Sequence, residues 1–188
     1  MTAPATTIVL ADYTPAWAEL FAEERDRLQE AIGQWAAAIE HVGSTAIPGI
    51  AAKPIVDIGV ALHDLGDAIK CITPLVEMGY ECKGEFGIPE RIYFRKPTDE
   101  PLPGQINDGV GRTHQIHMYQ RDHHQFIWHI AFRDYLRAHA EERDAYEALK
   151  RRLAIEHAGD IEAYAEAKGD FVQGVLRKAG VPAREASG

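Results

Sequence analysis

The segment from Pro54 to Leu62 constrains the fold more than any other stretch of the chain. It is nearly continuous in apolar residues and carries one charge, Asp57. A run of this length and character fits a β-strand covered on both faces. Along such a strand Ile55, Asp57, Gly59 and Ala61 share one face, while Val56, Ile58, Val60 and Leu62 share the other. Burying an ionised carboxylate is costly unless it is paired, hydrogen-bonded or holding a metal. The small residues beyond Asp57 suggest room beside its carboxylate. The plainer alternative is an aspartate that caps a helix or pairs with Lys53 or an arginine.

The remaining pattern supplies neighbours for this strand. A helix is expected from Pro15 to Ile32, with Thr14 as its cap, Trp17, Leu20, Phe21 and Leu28 on its apolar stripe and Gly33 at its end. Ala36 to Val42 reads as a strand that runs into the turn Gly43-Ser44-Thr45. Leu65 to Met78 reads as a helix closed by Gly79. Tyr80 to Cys82, Arg91 to Lys96 and Arg112 to Tyr119 read as further strands. Pro97 to Gly111, with three prolines, three glycines and three acids, reads as an exposed loop. After Asp122 the spacing is wholly helical; three helices are expected, with Gly159-Asp160 dividing the last two. The order predicts an α/β (α+β) fold: a mixed sheet flanked by helices, with a C-terminal helical segment. A single domain over residues 1–180 is expected, its sheet within 1–121 and its helices within 122–180, followed by a flexible tail at 181–188.

Charge narrows the partners. The 188-residue chain has a net charge of −9, which disfavours nucleic acid and anionic membranes as partners. A polyanionic small substrate would need a local basic cluster. No apolar run approaches the roughly 20 residues that span a bilayer, and the first ten residues do not read as a signal peptide. Two cysteines without Cys-x-x-Cys spacing point to neither a disulfide framework nor zinc, so a reducing cytoplasm is the expected location.

Taken singly, Gly43-Ser44-Thr45 is ordinary turn chemistry, although such a turn also lets backbone N–H groups approach a phosphate. Twelve residues separate Ser44 from Asp57, both follow apolar strand segments, and Lys53 lies between them. This spacing resembles the nucleotidyltransferase superfamily pattern, a Gly-Ser turn followed by an acid-hydrophobic-acid strand. The run His41-Val42-Gly43-Ser44-Thr45-Ala46-Ile47-Pro48-Gly49, then Ala52-Lys53-Pro54-Ile55-Val56-Asp57-Ile58, resembles the GrpB-like family of that superfamily. Tyr13-Thr14-Pro15-Ala16-Trp17, Gly84-Glu85-Phe86-Gly87-Ile88-Pro89, Arg112-Thr113-His114, Ala131-Phe132-Arg133-Asp134-Tyr135-Leu136-Arg137 and Ala167-Lys168-Gly169 extend the resemblance along the chain.

The resemblance implies a nucleotidyltransferase-like fold and transfer of a nucleotidyl group from a nucleoside triphosphate to a small acceptor. Gly43, Ser44 and Thr45 would hold phosphates, and Asp57 with His117 would hold a divalent metal, Mg²⁺ or Mn²⁺. The position two after Asp57, where the pattern has a second acid, is Gly59. His117 shares a strand face with Thr113, Gln115 and Tyr119, and is a candidate metal ligand, general base or phosphate donor. His114, on the other face, reads as a core histidine. Arg91, Tyr93 and Arg95 share a face, and with Arg112 and Lys53 they form the candidate cation set for a triphosphate. His123, His124 and His129 have poor metal-ligand spacing and read as surface or packing residues. Arg133 and Arg137 either reach a phosphate or pair with acids. The alternative function is a non-catalytic nucleotide- or coenzyme-binding module, as implied by similar domains fused behind dephospho-coenzyme A kinase.

Overall fold

The computed structural model describes residues 8–97 and 111–182. The greater part of the expected Pro97–Gly111 loop, and the tail from residue 183, lie outside the described residues. The elements are α1 (Ala16–Ile32), β1 (Ala36–Val42), β2 (Val56–Leu62), α2 (Ala68–Glu77), β3 (Glu81–Cys82), β4 (Ile92–Pro97), β5 (Arg112–Gln120), α3 (His124–Ala138), α4 (Ala140–Glu156), α5 (Ile161–Glu166) and α6 (Gly169–Lys178). They form the mixed α/β fold that the sequence predicts. The sheet order is β1-β2-β5-β4-β3. β2 and β5 are parallel, and every other neighbouring pair is antiparallel.

Period-two patterning decides what each face of the sheet meets. Val56, Ile58, Val60 and Leu62 point into the main core, against Leu28 and Ile32 of α1 and Cys71 and Leu75 of α2. The opposite face, which carries Asp57, is crossed by α3. A side-chain carbon on Gly59 would lie 3.2 Å from the Phe126 ring and 3.2 Å from Val42. The expected room along this face is therefore filled at Gly59 by Phe126, which packs there with Ala61 and Tyr119. His114 is buried on the core side as expected, its Nδ1 2.8 Å from the Thr113 hydroxyl.

Two element boundaries differ from the sequence reading. The expected helix from Leu65 opens with a 3-10 turn, Leu65–Asp67, because the Asp64 carboxylate accepts the Gly66 N–H at 2.8 Å and holds the chain in a tight bend. Among the described residues beyond Asp122 there are four helices rather than three. Asp160 caps α5 by accepting from the Ala163 N–H at 2.9 Å. The chain then breaks again at Ala167–Lys168, just before Gly169, a poor helix former.

Two arginines, Arg133 buried and Arg137 at the surface, fasten α3 to the sheet and turn. Arg133 donates to the Glu40 carboxylate at 2.7 Å and to the His41 carbonyl at 2.9 Å. Arg137 donates twice to the Ala46 carbonyl, at 2.9 and 2.6 Å. Behind that turn, Ile47 and Ile50 pack with Leu136, Tyr146 and Val175. The two arginines thus serve the architecture. Charge-assisted bonds of this kind contribute about 1.5–3 kcal/mol. Arg137→Ala is expected to lower unfolding free energy by about 1.5 kcal/mol, read by urea denaturation, whereas an exposed control such as Arg152→Ala stays near wild type.

Candidate functional site

The site is built where β1 ends beside β2. Val42 pairs with Asp57, so the chain leaving β1 passes directly over the aspartate. Gly43 makes that passage with φ +71°, a left-handed conformation. A Cβ there would stand 2.5 Å from Asp57 Oδ2. Both conditions select glycine. Ser44–Ala46 then form a single 3-10 turn. Ser44 faces the cavity described below, but the Thr45 hydroxyl is committed inward. It donates to the Ile55 carbonyl at 3.2 Å and lies 3.0 Å from His41 Nε2. With its proton on Ile55, this hydroxyl accepts from an Nε2–H of His41. Burial pushes the His41 pKa down to about 4, so the ring is neutral near pH 7. Thr45 lines the cavity as expected of a phosphate-holding turn, but with its hydroxyl engaged by Ile55 and His41.

β5 runs parallel to β2 and aligns Gln115 with Asp57 and His117 with Gly59. His117 Nε2 is 3.4 Å from Asp57 Oδ1. In the amide orientation that satisfies its neighbours, Gln115 donates to the same oxygen at 3.0 Å and accepts from Arg112 Nε at 2.9 Å and from the Tyr93 hydroxyl at 3.2 Å. Arg112 therefore reaches Asp57 through Gln115. Burial pushes the Asp57 pKa up, yet the His117 bond, with the charges of His117 and Lys53, outweighs it and holds the carboxyl below its ordinary value.

The expected arginine clamp divides. Arg91 is buried and donates to the carbonyls of Glu85, at 3.2 and 3.1 Å, and Phe86, at 2.7 Å. It also approaches His117 Nδ1 at 3.5 Å. Arg95 instead donates to Glu81 at 2.8 Å on the neighbouring strand and does not line the cavity, because the short β3 offers it a carboxylate nearer than Asp57.

A cavity of about 460 Å³ opens beside the turn, walled by Gly43, Ser44, Asp57 and His117 on one side and by the C-terminal helices on the other. Sequence reasoning missed most of that second wall. Lys150 of α4 is buried, donates to the Ala51 carbonyl and lies 4.9 Å from the Tyr146 ring centre. Burial, with Lys168 nearby, pushes its pKa down to about 7. Lys168, at the break between α5 and α6, lies 4.2 Å from the Tyr164 ring centre. Burial and Lys53 push its pKa down to about 8, against the pull of Asp57. The signal for Lys168 was the Ala167-Lys168-Gly169 motif; Lys150 had none. Trp128, Phe132, Val172 and Leu176 make the apolar part of the wall.

His129 also lines this cavity, its ring centre 5.5 Å from that of His117. Burial, with the nearby charges of His117 and Arg91, pushes its pKa down to about 3. Its reading as a surface or packing residue is corrected: α3 turns it toward Asp57. Even so, no group of three or more His, Cys, Asp and Glu among the described residues is arranged to hold a metal ion. Asp57 stands as a single carboxylate, and the position for a second is Gly59 under Phe126. A resident magnesium cage does not fit these residues, since Mg²⁺ favours several oxygen ligands. Among the described residues no helix is long and apolar enough to cross a membrane.

Gly43→Ala tests the centre of this arrangement. The added carbon meets the Asp57 carboxylate and forces a left-handed residue with a side chain, so a loss of about 2–4 kcal/mol in stability is expected, read by thermal or urea unfolding. The equivalent change at Gly84, also left-handed but with nothing within 4 Å of the added carbon, should cost less.

A family model described as GrpB protein matches residues 7–178. Protein YqkA of Bacillus subtilis is 36% identical over 170 residues, which cover 90% of this chain and 46% of that protein. The chain thus spans about half the length of YqkA. The glutamate-rich protein GrpB of Alkalihalophilus pseudofirmus is 34% identical over 172 residues, 91% of this chain and 95% of that protein. The crystal structure of the conserved protein GrpB from Enterococcus faecalis matches with a TM-score of 0.78 at 35% identity, covering 91% of this chain and 96% of that one.

Proposed function

The chain belongs to the GrpB family, and from that premise we propose that its cavity binds a nucleoside triphosphate and transfers the nucleotidyl group to a small acceptor. One observation carries the reading. In a chain of net charge −9, Lys53, Lys150 and Lys168 converge on a cavity bounded by a Gly-Ser turn and a half-buried carboxylate. Burial and mutual repulsion hold the pKa values of Lys150 and Lys168 low. A polyphosphate between these ammonium groups relieves the repulsion, and the backbone at Gly43-Ser44 contributes N–H groups. The Trp128, Phe132, Val172 and Leu176 wall suits the base and sugar.

In this reading the acceptor oxygen attacks the α-phosphorus, the bond to the β-phosphate oxygen breaks and pyrophosphate leaves. The acceptor proton passes to the Asp57–His117 pair. A divalent cation, Mg²⁺ or Mn²⁺, enters as part of the triphosphate substrate, with Asp57 as the nearest protein carboxylate and His117 beside it. Arg91 and Arg112 act by holding His117 and Gln115 in position rather than by gripping phosphate.

Calorimetry with the magnesium salts of ATP, GTP, CTP and UTP tests binding, and pyrophosphate release in the presence of a small-molecule extract tests transfer. Lys168→Ala is expected to weaken binding about tenfold or more. Asp57→Asn should retain most binding and lose release. The two lysines also set a sign. In the empty site their pKa values are about 7 and 8, and a bound polyanion raises them toward the ordinary value of 10.5. Binding at pH 8 is then accompanied by proton uptake, and affinity falls as pH rises above about 7, more steeply above about 8, by up to about tenfold per pH unit for each proton taken up. Calorimetry in two buffers of different ionisation enthalpy reads that number directly; proton release on binding would overturn the assignment.

The Phe126 ring over Gly59 favours a second reading, a nucleotide-binding module without turnover. It expects triphosphate to raise the melting temperature without being consumed. Gly59→Asp alone should lose about 2–4 kcal/mol of stability through a buried charge and a clash. Gly59→Asp with Phe126→Ala relieves the clash with the ring and leaves only that with Val42. Pyrophosphate release by that double variant, with none from the wild type, would decide for the second reading.

A further inference from the structure

The loop from Gly84 to Glu90 holds two residues with side chains in the left-handed region, Phe86 at φ 46° and Glu90 at φ 61°. That conformation is disfavoured for any residue with a Cβ. The loop keeps it because it is tied down at several points. Arg91 donates to the carbonyls of Glu85 and Phe86, the latter at 2.7 Å. The Glu90 N–H donates to the Glu85 carboxylate at 2.7 Å, and the Tyr93 N–H to the Gly84 carbonyl at 2.9 Å.

What this strain displays is an aromatic ring in water. Phe86 is 66% exposed, and its ring lies on that of Tyr93 at 5.1 Å and 20°. Tyr93 is buried beneath it, 5.4 Å from the His117 ring. His117 in turn meets Asp57. Ile88, from the same loop, lines the cavity. Core packing does not account for an apolar side chain held out by a strained loop, and retained strain of this kind clusters where ligands are gripped. An exposed ring on a fixed support is a stacking surface.

We propose that Phe86 is the platform on which the acceptor stacks, and that the acceptor therefore carries a planar ring. This rests on the transferase reading above and names the substrate class of its second site. Charge narrows the ring further. Glu85 and Glu90 bracket the platform, while the Arg91 guanidinium is spent on backbone carbonyls. The ring is neutral or positively charged, since an anionic one meets two carboxylates and a cationic one gains from the aromatic face.

Four small probes of similar size test this by two-dimensional NMR titration: tyramine, 4-hydroxyphenylethanol, 4-hydroxyphenylacetate and 2-cyclohexylethylamine. Tyramine and 4-hydroxyphenylethanol are expected to bind, with shifts centred on residues 84–93. Phe86→Leu, which keeps an apolar side chain, should weaken tyramine about fivefold or more, and Phe86→Trp should restore it. MgATP affinity, read by calorimetry, should be unchanged in both variants. Unchanged tyramine affinity in Phe86→Leu, equal binding of 2-cyclohexylethylamine, or preference for 4-hydroxyphenylacetate would each overturn the proposal. The two readings fail separately. MgATP binding without Phe86-dependent tyramine binding removes the platform alone. Phe86-dependent tyramine binding in a protein that ignores MgATP removes the transferase, and the acceptor role with it.

Discussion

The contact between the Asp57 carboxylate and the bare Cα of Gly43 is the constraint around which the site is assembled. It follows from strand register. β1 and β2 are antiparallel with Val42 opposite Asp57, so the chain leaving β1 crosses the aspartate at a distance that no other residue tolerates. The parallel pairing of β2 with β5 then brings Gln115 and His117 to the same carboxylate from the other side. A half-buried negative charge stays ionised because these donors and the nearby lysines outweigh its desolvation.

Around that carboxylate the protein gathers positive charge that its overall composition does not suggest. Lys53 comes from the segment before β2, Lys150 from α4 and Lys168 from the break between α5 and α6. Lys168, four residues after Tyr164, keeps the i to i+4 placement of a helix across the break, so its ammonium lies over that ring and lines the cavity. The arginines of α3 have the complementary task. Arg133 and Arg137 satisfy carbonyls of β1 and of the turn, so the helix that forms part of one cavity wall is fixed to the strand and turn that lead into the other.

Two features distinguish this site from one built to cage metal ions. Gly59 takes the place of a second acid and Phe126 occupies the space a side chain there would need. His129 approaches His117, but among the described residues no three such groups are arranged to hold a metal ion, and burial leaves the His129 ring without charge for a phosphate. With the Arg91 guanidinium bonded to the Glu85 and Phe86 carbonyls, the lysines of the lining complement phosphate as a set of point charges rather than as a bidentate fork.

The amino-acid sequence by itself determined the elements and the local centre of the site. Apolar periodicity specified α1, β1, β2 and β5 nearly to the residue. The isolated charge in an apolar strand marked Asp57, and the Gly-Ser pair after a strand marked the turn. These are local properties, carried by alternation and by the conformational demands of glycine. Tertiary structure alone decided which polar groups face the cavity. Thr45 turns inward because His41 and the Ile55 carbonyl are nearer partners than solvent. Arg95 turns away because Glu81 lies across the sheet edge. Phe126, His129 and Lys150 arrive from helices 60 or more residues after Asp57, on faces whose composition does not distinguish them from ordinary helix surface, and Lys168, marked only by its motif, from the break between α5 and α6. Their convergence is a matter of long-range packing, which no spacing along the chain encodes.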